Sequence, residues 1–80
     1  MSKTGEKVAK KISELEENLK HYSSKSTLMI DLQEISDIST MLSTLRYLDC
    51  MEREEFHVLY DRLNEVQKKY CKEVKRKRIL

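Results

Sequence analysis

Glu54 and His57 stand three residues apart. This Glu-x-x-His spacing serves the di-iron helical bundles because both side chains then leave a helix on one side. A supporting carboxylate would have to come from another helix, with Glu14, Glu17 and Glu34 on offer. His57 however flanks Phe56 away from the centre of the apolar seam, and such a spacing recurs by accident in a Glu-rich helix. Cys50, Cys71, His21 and His57 show neither the C-x-x-C nor the H-x-x-x-H spacing of a zinc site. If the two cysteines share one straight helix, 21 residues separate them by about 31 Å, beyond any bridge within the chain. A bond between Cys50 and Cys71 of two antiparallel copies is geometrically allowed, but two free thiols are the simpler reading. Gly5 is the single glycine, which excludes a glycine-rich phosphate loop. No metal, no cofactor and no catalytic residue is expected, and the sequence reads as non-enzymatic.

Charge carries more information. From residue 68 to the end, Lys68, Lys69, Lys72, Lys75, Arg76, Lys77 and Arg78 stand against Glu73 alone, a net of +6 in a chain whose total is +2. The remainder is therefore acidic, at −4. Such a segment suits phosphates, with sequence-independent and salt-sensitive affinity. It equally suits the C-terminal end of a helix dipole, left in solvent. An anionic membrane surface or an acidic protein is a third reading. No helix-turn-helix glycine, zinc-finger spacing or aromatic RNA-binding motif supports base readout.

The elements that must position these residues are helices. Eighty residues make one domain, with 38% charged, 39% hydrophobic, one glycine and no proline. A β-rich fold would need turn residues every 8–12 positions, and they are missing. A first helix is predicted over about residues 3–22, with Ser2 or Thr4 as N-cap and Val8, Ile12, Leu15, Leu19 and Tyr22 as its heptad stripe. Glu6–Lys10 and Glu16–Lys20 are expected to pair one turn apart. Ser23 to Thr27 reads as the connection. A second helix, about 28–48, carries Leu28, Leu32, Ile35, Ile38, Leu42 and Leu45, with Met41 and Leu48 widening the stripe. Its Ser36, Ser39, Thr40, Ser43 and Thr44 leave room for a close neighbour, and its apolarity places it at the centre of the assembly.

Asp49 with Glu52 three residues on reads as a capping box. It opens a third helix over about 50–76, with Tyr47-Leu48 stapling the turn. The alternative is one unbroken helix from Leu28 to beyond Tyr70. The third stripe is Phe56, Leu59, Leu63, Val66 and Tyr70. Tyr22 and Tyr70 fall on heptad positions and read as core, Tyr47 and Tyr60 as partner-facing. Between Tyr47 and Val66 the rhythm resembles small helical hairpin and bundle proteins, without the specificity to imply a function.

The predicted architecture is all-α, a small antiparallel bundle of two to three helices per chain completed by homodimerisation, since the heptad seams call for partners. The expected role is that of an interaction or adaptor protein acting as a homo-oligomer, dimer first, on an unidentified protein partner. The alternative is a small accessory or regulatory protein that contacts nucleic acid through its basic C-terminus. The N-terminus has no apolar signal region and the longest apolar run is Leu28-Met29-Ile30, so a soluble, cytoplasmic protein is expected.

Overall fold

The computed structural model describes residues 2–22 and 24–79, with 77–79 as backbone only. Three helices, α1 (Lys3–Lys20), α2 (Lys25–Tyr47) and α3 (Arg53–Ile79), form an up-down-up bundle measuring 44 × 18 × 16 Å. No strand is present among the described residues. α3 packs on both α1 and α2, whereas α1 and α2 barely touch, so the central element is α3 and not the less charged α2. The reason lies in the distribution of apolar residues. α1 and α3 each gather theirs on one side, while α2 has them on two.

Ser2 caps α1, its Oγ accepting from the Gly5 N–H at 3.0 Å while donating to Glu55 Oε1 at 2.6 Å. That hydroxyl bond, outweighing a slight desolvation, draws the Glu55 carboxyl below its usual range. Ser24 caps α2 through the Thr27 N–H, so the helix begins at Lys25, inside the stretch expected to connect. A Ser/Thr run is as good a helix start as a linker when one hydroxyl can reach the third amide beyond it.

The chain breaks between α2 and α3, but not by the expected capping box. Asp49 has φ 59° and lies past the end of α2. The Asp49 N–H bonds the Arg46 carbonyl at 3.1 Å and the Cys50 N–H bonds Leu45 at 2.8 Å. This is a Schellman ending with aspartate in the left-handed position that glycine usually takes. The Asp49 carboxylate meets Arg46 Nη1 at 3.2 Å instead of capping α3. The first bond of α3 runs from the Phe56 N–H to the Glu52 carbonyl. Tyr47 and Leu48 do not staple the turn either: both are exposed, and Met51 closes that end of the core.

The three stripes close on one another within a single chain. Val8, Ile12, Leu15, Leu28, Ile35, Ile38, Leu42, Leu59, Leu63, Val66 and Tyr70 are buried, with Leu19, Leu32, Leu45 and Phe56 half-buried against them. Met51 and Val74 join the core, and so does one acid, Asp31. Tyr70 is fully buried, its hydroxyl 2.7 Å from the Leu15 carbonyl and 2.9 Å from Asp31 Oδ2. One hydroxyl thus ties all three helices together. Polar links lie further out. Arg62 Nη2 reaches Ser13 Oγ at 2.7 Å and Glu16 at 2.6 Å, and Lys11 reaches Glu34 at 2.6 Å. Glu16 therefore turns to α3 and not to Lys20, which sits 3.7 Å from Glu17, and no ion pair joins Glu6 to Lys10.

Candidate interaction surfaces

Two surfaces differ from the mixed charge found elsewhere. The first is the outer face of α2. Met29, Gln33, Ser36, Thr40, Ser43 and Tyr47 follow each other at spacings of 4, 3, 4, 3 and 4, and all are exposed. Beside them Ile30, Asp37, Met41, Thr44 and Leu48 form a second exposed line. Six large hydrophobic residues are exposed among the described residues, and five belong to α2 or its cap: Met29, Ile30, Met41, Tyr47 and Leu48. Met41 and Leu48 thus do not widen the inner stripe; they belong to a separate outer one. Tyr47 is 88% exposed, whereas Tyr60 is half-buried and stacks on Phe56 with ring centroids 5.2 Å apart.

Several polar side chains in the middle of this face are already bonded within the helix. Thr40 Oγ1 donates to the Ser36 carbonyl at 3.1 Å and Thr44 Oγ1 to the Thr40 carbonyl at 2.9 Å. Such back-bonding directs the hydroxyl proton into the helix and lowers the cost of covering the residue. Gln33 Nε2 donates to Asp37 Oδ1 at 3.2 Å. Asp37 is the one fully exposed charge in the two lines; Glu34, between Ile30 and Asp37 at the same spacing, is half-buried and paired with Lys11 at 2.6 Å. A face with five large apolar side chains, small polar ones of which two are bonded internally, one exposed charge and one paired charge resembles an interface core more than a solvated surface.

The second surface is the C-terminal third of α3. Lys68, Lys72 and Lys75 share the face opposite the buried Leu63, Val66, Tyr70 and Val74, and line a shallow groove of about 440 Å³ with Gln67 and Cys71. Lys68 lies 3.6 Å from Glu65 and Arg76 pairs with Glu73 at 2.9 Å, while Lys69, Lys72 and Lys75 pair with no acid among the described residues. Hydrogen bonding to Tyr22 and then to Glu73 raises the Arg76 pKa above its ordinary value. Tyr22 Oη also donates to Glu73 Oε2 at 2.8 Å, so Arg76 is partly engaged in holding α3 to the α1–α2 connection. The side chains of Lys77 and Arg78 lie outside the described residues. Toward its N-terminus the same outer face carries Glu54, Asp61 and Glu65, all exposed, so the positive region ends near Lys68.

Comparison with family models, with curated proteins and with solved structures yields no match for this chain.

Glu54 and His57 are exposed, and His57 contacts Phe56 edge-on at 5.6 Å. Among the described residues no three His, Cys, Asp or Glu side chains converge to hold a metal ion. Glu14 and Glu34 both pair with Lys11, and Glu17 with Lys20 and His21. Cys50 is exposed in the α2–α3 turn and Cys71 is half-buried on α3, both as free thiols. No helix of the described residues is long and apolar enough to cross a membrane. The outer line of α2 was legible as a second heptad, Met29 to Tyr47, running beside the inner one; its three hydroxyl residues hide it from a reading that follows large apolar side chains alone.

Proposed function

We propose that this chain is a non-enzymatic helical interaction protein that self-associates through the outer face of α2. The observation that supports the reading is the concentration of exposed large hydrophobic residues there, five of the six among the described residues. The heptad seams are covered within the chain, so they call for no second copy, and the apolar surface still uncovered is on α2. They line one face, Met29 and Ile30 at one end, Tyr47 and Leu48 at the other and Met41 between, where a single second helix can cover them together.

Sedimentation equilibrium over a range of concentrations tests this. The native protein is expected to dimerise reversibly, and Ile30→Glu with Leu48→Glu to remain monomeric with unchanged helical circular dichroism. Both positions are exposed, so the substitutions leave the core intact. A native protein that stays monomeric at millimolar concentration, or a double variant that dimerises as well as the native chain, would overturn the proposal.

A second reading rests on the unpaired cations: Lys69, Lys72 and Lys75, with Lys68 alongside, suit a polyanion such as nucleic acid. Phosphate contacts of this kind carry affinity without sequence preference. Fluorescence anisotropy with a random duplex and a single strand is expected to show binding that weakens steeply as salt rises. Replacing Lys68, Lys72 and Lys75 together with Ala should flatten the slope of log affinity against log salt by about 2–3. An unchanged slope, or no binding at low salt, would remove nucleic acid from consideration.

A further inference from the structure

Resting on the reading of α2 as the self-association face, we infer that the occupant is a second copy lying antiparallel, with its two-fold axis between Ile38 and Ser39. The two exposed lines of α2 are complementary to each other when one copy is reversed. Met29 then faces Leu48 of the second copy, Ile30 faces Tyr47, Gln33 faces Thr44, Ser36 faces Met41, and Asp37 faces Thr40. Each pair straddles the same midpoint, so one register satisfies them all, as an isologous interface requires. The apolar ends meet apolar ends. In the middle Gln33, Asp37, Thr40 and Thr44 already bond within their own helix, and Glu34, which faces Ser43 of the second copy, is held by Lys11. Ser36 opposite Met41 sets a small residue against a large one, the arrangement that lets two helices interdigitate.

Charge selects this orientation over the parallel one. A parallel pair would set Asp37 beside Asp37 and Lys25 beside Lys25, like against like. The antiparallel pair instead sets Asp37 beside a threonine. It also brings Lys25, exposed at the head of α2, to the end where Asp49 and Glu52 of the other copy are exposed. Sliding the register by one heptad in either direction strips the match. Met29 would then face Met41 and leave Tyr47 and Leu48 uncovered, or Ser36 would face Leu48 and leave Met29 and Ile30 uncovered. From Met29 to Leu48 the face is about 28 Å long and roughly 10 Å wide. Two such faces cover roughly 560 Å² in total, the scale of a weak, reversible contact and not of an obligate interface.

Cysteine pairs read the register directly. In a background with Cys50→Ser and Cys71→Ser, Gln33→Cys with Thr44→Cys places two thiols about 16 Å apart along one helix, too far to join within a chain. Under a mild thiol oxidant most of the protein is expected to convert to a covalent dimer. Peptide mapping should find position 33 linked to position 44 and neither linked to itself. Ser36→Cys with Met41→Cys repeats the test nearer the axis, and circular dichroism confirms that each variant folds. A protein that sediments as a dimer but links 33 to 33, or forms no bridge with either pair, would overturn the antiparallel register and leave self-association standing. A protein that is monomeric throughout would overturn both.

Discussion

Tyr70→Phe is expected to lower the thermal midpoint by roughly 10–20 °C, the effect of about 2–3 kcal/mol on a domain of this size. The ring would stay where it is; only the hydroxyl is lost. That hydroxyl lies within bonding distance of a buried carboxylate, Asp31, and of the Leu15 carbonyl, and its one proton is shared between them. Removing it strands the Asp31 oxygen in a core otherwise built from aliphatic side chains. An unpaired buried acid costs more than a missing hydrogen bond, because its desolvation is no longer offset. A chain of eighty residues has on the order of 4–12 kcal/mol in hand, so the loss is a large fraction of the total. The cause is separable from mere truncation. Leucine has the heavy-atom shape of aspartate without its polarity, so Asp31→Leu added to Tyr70→Phe should recover most of the loss. A Tyr70→Phe protein within about 0.5 kcal/mol of the native one, measured by urea titration, would show that the hydroxyl contributes little.

This pair also marks where the sequence stopped being legible. The stripes of α1 and α3 could be read because their apolar residues repeat at 3 and 4 without interruption, and those residues are buried or half-buried against the core. On α2 the uninterrupted inner spacing is Leu28, Asp31, Ile35, Ile38, Leu42 and Leu45, with an acid in the second place. A reading that follows apolar residues steps aside to Leu32, which is only half-buried. What makes an acid acceptable there is the phenol of Tyr70, 39 residues away, and nothing local announces it. The one hint is that the α3 stripe also ends in a residue able to hydrogen-bond. The break between α2 and α3 lies where the sequence puts it, but its chemistry is hidden for a comparable reason. Asp49 satisfies a capping box as a string of letters, but its left-handed backbone makes it the end of α2. Periodicity then says nothing about Met51, which lies outside either helix and still seals the core. The candidate surfaces divide in the same way. The cations near the C-terminus are plain in the sequence, whereas the outer face of α2 emerges only when the inner face is known to be occupied.

Alkaline conditions should unfold the protein in a transition that includes Tyr70. Burial above all, and next the bond to Asp31 and that residue's charge, push the phenol far above the ordinary tyrosine range. In the unfolded chain the same phenol ionises near pH 10. The native state therefore keeps a proton that the unfolded state releases. Stability from this source is complete below about pH 10 and drains away as the pH climbs through the folded value. The variant carrying Tyr70→Phe with Asp31→Leu keeps every lysine and supplies the comparison. Above about pH 10, native stability is expected to fall more steeply than the variant's by up to about 1.4 kcal/mol per pH unit, the slope of one released proton. Tyrosinate absorbance in the native protein should include a component that rises together with the loss of helical circular dichroism, and that component should be absent from the variant. Parallel stability curves for the two proteins would mean that Tyr70 ionises without unfolding the bundle, and that the contact joining the three helices is open to water.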